Sequence, residues 1–260
     1  MKIISCLKEV PARDTRYQVD SGQHWIEEGG LTLEINECDE YALEEALKLQ
    51  EAHGGEVSIL TVGGARSEKS IRKGLAMGAK QAILVEDEER RVNHPYAAAK
   101  VMAQALQDEE FDLVLAGTQS DDYSYAQTGV MLAEMLGLPH ATIVMEIEAK
   151  PDEKKIKALR EMESGWFQWV EMPLPAVLTI QAGSSQVRYP SLPNIMKAKR
   201  KEIRRIPLDD LGVDLESMPR LEISRLYFEE AEGKAEILEG DTRSVVDLLV
   251  EKLRKEARVL

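Results

Sequence analysis

Only two of the 260 residues are cysteine, Cys6 and Cys38. That is too few for a disulfide framework. No CxxC, HExxH or clustered Cys/His pattern occurs, so neither a zinc nor an iron–sulfur site has support. The four histidines, His24, His53, His94 and His140, are scattered and read as surface or cap residues. Without a Ser/His/Asp or Cys/His constellation, the chain has no visible catalytic apparatus of its own. No apolar run approaches a membrane span. The start, MKIISCLKEV, reads as a strand with charges inside it, not as a signal or Arg-rich transit peptide. The expected compartment is a bacterial or archaeal cytoplasm, with no stable membrane insertion. Neither GxGxxG nor GxxxxGK[ST] is present, which removes the usual dinucleotide and P-loop fingerprints. Positive charge is also short. Against 47 Asp and Glu stand 33 Lys and Arg, and the net charge of −14 argues against a general nucleic-acid binder.

What is present is an ordinary hydrophobic fraction, 43%, in a chain long enough to bury a sizeable core. Apolar strand-like runs and helical periodicity alternate four times in the first 140 residues. KIISCL is a strand, followed by a long polar stretch from Lys8 to Gly30. LTLEIN leads into a helix over about 37–52, with Asn36 at its N-cap and Asp39 and Glu40 in its first turn. EVSILTVGG and QAILVED are strands, with helices over 67–77 and 95–106 after them. Phe111 opens a fourth strand, and a helix starting near Tyr125 follows it. This alternation predicts an α/β fold with a doubly wound, mainly parallel sheet of Rossmann-like type. Right-handed crossovers would bring the strand ends at Cys6, Val62 and Gly117 to one edge, with the mouth of the Asn36 helix beside them. Those four points could surround one adenine nucleotide.

The richest loop on that edge is FDLVLAGTQSDDYSYAQTG. It carries Gly117 for close backbone approach, the acids Asp121 and Asp122, the hydroxyls Thr118, Ser120 and Ser124, the amides Gln119 and Gln127, and Thr128 and Gly129 at a helix start. Free N–H groups at such a start suit a phosphate. The acids are awkward beside one. They fit better as caps or as acceptors for ribose hydroxyls or an amino group.

After His140 four strand-like runs follow without helices: ATIVMEIEA, KKIKALREM, WFQWVEM and PAVLTIQAG. They predict an antiparallel extension of the sheet, with Trp166 and Trp169 packed against it. From Gly183 the chain is loop-like, with exposed apolar residues and then Lys197, Lys199, Arg200, Lys201, Arg204 and Arg205. That reads either as a linker with a solvated helix or as a protein-docking loop, a hydrophobic anchor rimmed by charge. ISRLYF is a short strand-like run in an irregular segment. A final helix over about 242–257 has too little core of its own and is expected to reach another chain. The expected partition is a nucleotide-binding domain over 1–182, a recognition loop over 183–200 and a C-terminal arm over 201–260.

Four blocks, NECDEYALEEALKL, GTQSDDYSYAQTG, ALREMESGWFQWVEMPLPAVLT and RYPSLPNIMKAK, together resemble the β subunit of electron transfer flavoprotein (ETF) over nearly the whole chain. Ser164 departs from the third block's pattern, where the family favours Gly or an acid. NECDEYALEEA, GTQSDDYSYAQTG and AVLTIQAG look like the type that serves trimethylamine dehydrogenase in methylotrophic bacteria.

The resemblance implies a non-enzymatic electron carrier, a heterodimer whose larger α subunit holds most of the redox FAD. In this subunit it implies a structural AMP. Carried over position by position, the AMP site would use Cys6, Asn36, Cys38, Asp39, Val62, Gly117, Gln119, Ser120, Asp122, Gln127 and Thr128. A loop that docks onto flavin-dependent dehydrogenases falls on 183–199, with Leu192 as its anchor and Tyr189, Pro193, Ile195 and Met196 beside it. An aromatic of the Lys8–Tyr17 loop approaches the FAD in the family, and Tyr17 is the residue considered for it. Two rivals remain. One is an electron-bifurcating ETF with a second FAD in place of AMP, which usually carries a smaller acidic loop than SDDYSYAQTG. The other is a stand-alone nucleotide-binding sensor or PP-loop-type enzyme, although no SGGxDS-like motif is present.

Overall fold

The computed structural model describes residues 1–218, 223–228 and 235–260. Two compact units are formed, one by Met1–Gln18 with Glu27–Glu222 and one by Val19–Ile26 with Ile223–Leu260.

The first unit is built on a nine-stranded sheet. Its strands are β1 (Lys2–Cys6), β4 (Glu56–Gly63), β5 (Gln81–Glu86), β6 (Leu113–Gly117), β7 (His140–Lys150), β8 (Lys155–Glu161), β9 (Phe167–Pro173), β10 (Ala176–Ile180) and β11 (Ile203–Pro207). They lie in the order β11-β5-β4-β1-β6-β10-β7-β8-β9. From β11 to β7 every pairing is parallel; β7, β8 and β9 pair antiparallel. Two short strands, β2 (Glu9–Pro11) and β3 (Leu33–Ile35), pair antiparallel, one near the start of the long polar stretch and one just after its end.

The parallel strands read as continuous apolar runs because both faces are covered. Successive side chains alternate between faces. Ile3, Ile59, Leu113 and Leu178 meet Leu43 and Leu47 of α1 (Glu37–His53) and Ile71 and Leu75 of α2 (Glu68–Met77). Ile4, Leu60, Val114 and Val177 meet Val101 and Met102 of α3 (Pro95–Ala105) and Leu132 of α4 (Thr128–Leu136). Each fully buried Leu or Ile here stabilises the fold by roughly 1.5–3 kcal/mol. Gly137, in the left-handed region, ends α4, and the His94 ring accepts a hydrogen bond from Ala97 N at the start of α3.

Four features depart from the sequence-based expectation. The run PAVLTIQAG is not part of the antiparallel extension. As β10 it inserts between β6 and β7, parallel to both, and all five of its residues are buried. Trp166 and Trp169 do not pack into the core. They lie exposed at the β8–β9 turn and in the first half of β9, Trp166 at 74%. The helix expected from Tyr125 starts at Thr128, because Ser124 and Ala126 take positive φ and keep 121–127 a loop. Residues 203–207, expected in the arm, form β11 beside β5 and complete the sheet.

Three of the six residues of the conspicuous basic run are tied into the fold. Lys201 donates to the carbonyls of Leu75 (2.8 Å) and Ala79 at the end of α2, Arg204 pairs with Glu109, and Arg205 pairs with Glu86 and Glu68. A short helix, α5 (Leu192–Ala198), leads into that run and contains its first residue, Lys197.

In the second unit, Val19 and Ile26 form an isolated antiparallel bridge, and Leu226 N donates to Gln23 O at 2.7 Å. ISRLYF has no regular structure. The helix α6 (Thr242–Lys255) is capped by Asp241, whose side chain accepts from Arg243 N and Ser244 N. None of its residues is buried.

Candidate nucleotide site

The C-terminal ends of β1, β4, β6 and β10 share one edge of the sheet because all four run parallel. Such an edge is where open α/β sheets hold ligands. Helix α1 aims its N-terminal turn at this edge, and α4 begins there. The sequence reading had put Cys6, Val62, Gly117 and the Asn36 helix together at this place, and the structure does so.

Asp39 is the centre of the arrangement. Its carboxylate accepts from Lys8 N (2.8 Å) just past β1 and from Gly117 N (2.7 Å) at the end of β6. One side chain of α1 thus fastens two adjacent strand ends. Asp39 is buried, and burial pushes its carboxyl up to about 7 despite the two amides and Asn36, which act in the opposite direction. Gly117 has no room for a side chain. A Cβ there would stand 2.4 Å from Asp39 Oδ1 and 2.7 Å from Cys38 Cβ. The glycine therefore lets β6 end against α1.

Asn36 stands at the N-cap position, yet its side chain does not cap its own helix. Its Nδ2 donates to Gln119 O and its Oδ1 accepts from Asp121 N, both at 2.9 Å. This pair of bonds fixes the loop after β6 across the mouth of α1. Asp121 takes over the capping role. It accepts from Glu37 N at 3.1 Å and from Arg13 at 3.0 Å, and Arg13 also pairs with Glu37. Asp122 is paired with Lys8 Nζ at 2.6 Å. Both acids that look awkward beside a phosphate are thus occupied by cations or a helix start.

The remaining predicted residues take these places. Cys38 is buried in the first turn of α1; burial raises its thiol, while backbone groups of Gln119 and Ala182 act the other way. Cys6 and Val62 lie near the ends of β1 and β4 and pack on the opposite face, against the α3 and α4 side. The Cys6 thiol is raised by burial first and by Asp39 second. Ser120 holds the loop turn, its carbonyl accepting from Ser124 N (2.9 Å) and Ser124 Oγ (3.1 Å). Gln127 is exposed just before α4, and no side chain caps that helix. Thr128 is its first residue, and Gly129 lets it approach β10, since a Cβ would meet Thr179 Cγ2 at 2.4 Å. The hydroxyl oxygens of Thr118, Ser184 and Ser185, in the loops after β6 and β10, are buried without a hydrogen-bond partner among the described residues. Buried orphan hydroxyls call for a ligand or ordered water.

Reading by sequence missed Lys8, Arg13 and Arg188. Lys8 had a signal, as the first charged residue after a buried parallel strand. Arg13 had none, lying inside a long polar stretch. Arg188 roots the segment after β10. Its guanidinium pairs with the buried Glu44 of α1 at 2.8 Å and with Glu51 at 2.5 Å, and its N–H donates to Glu44 at 3.1 Å. Beyond that root, Tyr189 is 97% and Leu192 79% exposed, and Pro193, Ile195 and Met196 are exposed with them.

Among the described residues no group of three or more His, Cys, Asp or Glu could hold a metal, and no helix is long and apolar enough to cross a membrane. A family model described as the electron transfer flavoprotein domain matches residues 24–211. The electron transfer flavoprotein subunit beta of Bacillus subtilis is 35% identical over 263 residues, covering all of both chains. Its counterpart from Methylophilus methylotrophus is 35% identical over 92% of this chain and 93% of its own. The pig protein of the same name is 36% identical over 88% of each.

Proposed function

The chain belongs to the electron transfer flavoprotein β-subunit family, and within it we propose a carrier subunit that binds AMP and helps enclose an FAD held mainly by the α subunit. In this reading the heterodimer shuttles electrons from flavin-dependent dehydrogenases to a downstream acceptor in the cytoplasm. When bound, the FAD supplies the redox chemistry, and the protein supplies position and electrostatics.

The observation that carries the AMP reading is the sheet edge itself. Asn36, Asp39 and Gly117 bring two strand ends and a helix mouth together, and the start of α4 is left without a side-chain cap. An anion fits there because the first-turn N–H groups of a helix have no intrahelical partner. Thr118, Ser184 and Ser185 offer hydroxyls that lack partners among the described residues. Gln127 and Thr128 stand where a phosphate would meet α4. Cys38 and Gln119 line the mouth of α1, and Ser120 and Asp122 hold the loop between. The chain's own part is to bind and orient the nucleotide and thereby to order the loop after β6.

The dehydrogenase-docking role rests on α5 and its approach. Tyr189, Leu192, Pro193, Ile195 and Met196 form an exposed apolar group on a segment whose base Arg188 anchors in α1. Exposed apolar clusters of this kind mark association surfaces.

Cofactor content of the heterodimer, measured by chromatography after denaturation, tests the reading. One FAD and one AMP per heterodimer is expected. Two FAD and no AMP would replace it with the bifurcating arrangement, and neither nucleotide would overturn the reading.

A further inference from the structure

Lys8 touches both halves of the sheet edge with separate groups, its backbone on the α1 side and its ammonium on the loop after β6. Its backbone N–H is held by Asp39, so its position follows from α1. Its side chain crosses to the loop after β6. There Nζ lies 2.6 Å from both oxygens of Asp122, 3.4 Å from Ser120 Oγ and 4.6 Å from the centre of the Tyr123 ring. Tyr123 in turn stacks on Tyr125 at 5.5 Å. The loop it reaches has two residues at positive φ, Ser124 and Ala126, so its own backbone is not in a relaxed regular form.

We infer that Lys8 is a clasp that closes residues 118–127 over the nucleotide site, a positioning residue acting through Asp122 and Tyr123 and not as a phosphate ligand. This rests on the AMP reading for the identity of the occupant, though not for the contact itself. The charge-assisted bond to Asp122, with the two side chains 40% and 24% exposed, is partly shielded from solvent. Its cation–aromatic contact adds to it. The ammonium also neutralises a carboxylate that would otherwise repel a nucleotide phosphate. Closing the loop slows escape of a bound nucleotide, so the effect belongs in the dissociation rate.

The test uses the full heterodimer with Lys8→Met, Lys8→Arg, Asp122→Asn and the charge swap Lys8→Asp with Asp122→Lys. Two quantities are read: amide hydrogen exchange of residues 118–127, and release of preloaded radiolabelled AMP into excess unlabelled AMP. Lys8→Met and Asp122→Asn are each expected to speed both by roughly five- to tenfold, the size expected of one partly shielded charged bond. Lys8→Arg should stay near wild type, and the swap should recover most of the loss. Asp122→Asn keeps the comparison alive if Lys8→Met folds poorly. Unchanged loop exchange in both single variants would overturn the clasp. So would a swap that restores neither quantity, since a direct phosphate ligand at Lys8 behaves that way. If the wild-type heterodimer carries no AMP, the nucleotide reading fails, and loop exchange alone still decides what Lys8 does.

Discussion

Asp39 shows how one side chain can be both a fastener and a cost. Its two backbone donors stabilise the carboxylate, but burial outweighs them and lifts the group from its ordinary value to about 7. The native state therefore holds this proton over a pH range in which the unfolded chain has released it. Stability falls as pH rises from about 4 to about 7 and is lowest above that window. Between pH 5 and 8 the loss is roughly 2–3 kcal/mol, on the scale of 1.36 kcal/mol per unit. Asp39→Asn cannot titrate, and its amide NH2, a donor with no lone pair to accept, would face either Lys8 N or Gly117 N. The variant should be less stable at pH 5, with the gap to wild type narrowing by that amount at pH 8. Urea midpoints at the two pH values measure it; a gap independent of pH would remove Asp39 from the account. The buried position of Asp39 was only partly legible in the sequence. Its place in the first turn of a helix was clear, but its partners, Lys8 and Gly117, are 31 and 78 residues away.

Elements behaved as their patterns indicated wherever burial was one-sided or local. Helices α1, α2, α3 and α6 fall within a few residues of their predicted bounds, because apolar spacing and end residues set them. One misplaced element was β10. An apolar run tells that a strand is covered on both faces, not which strands flank it, and its place between β6 and β7 is a matter of chain return. The Trp166–Trp169 segment was misread for a related reason, since large aromatics are taken as core unless a partner surface is known. In the proposed reading, the segment from 183 to 198 separates anchoring from docking. Leu192→Ala removes an exposed apolar side chain and should slow electron transfer from the cognate dehydrogenase about tenfold with flavin content unchanged. Arg188→Ala instead strands the buried Glu44. It should lower thermal stability by about 2–3 kcal/mol. Stopped-flow rates and melting curves on both variants make the distinction. Equal behaviour of the two would mean that the root and the tip are one functional unit.

For the molecule as a whole, the main sheet unit carries both core clusters, whereas α6 buries none of its residues. A chain ending at Gly240 should therefore melt within about 1 kcal/mol of the full chain, since exposed segments contribute little. Its yield of heterodimer with the α subunit should drop, because the apolar side chains Val246, Leu248, Leu249 and Val250 would be lost as a contact surface. Co-purification of the truncated chain with α measures this, and undiminished yield would show that the terminal helix is dispensable for assembly.

The order of elements, the parallel character of the sheet and the edge on which a ligand would sit were legible from residues alone. Each follows from short-range periodicity, turn chemistry and the handedness of crossovers, none of which needs a distant partner. The blocks NECDEYALEEALKL and GTQSDDYSYAQTG also marked the two segments that meet at the site. What folding alone could supply is the pairing between them. Asn36 reaching Gln119 and Asp121, Asp39 holding Lys8 and Gly117, Lys8 crossing to Asp122 and Arg188 seizing Glu44 all join residues remote in the chain. Side-chain hydrogen bonds and ion pairs leave no periodic trace in a sequence. Their geometry exists only after the sheet has closed its strand order and brought the loops to one edge.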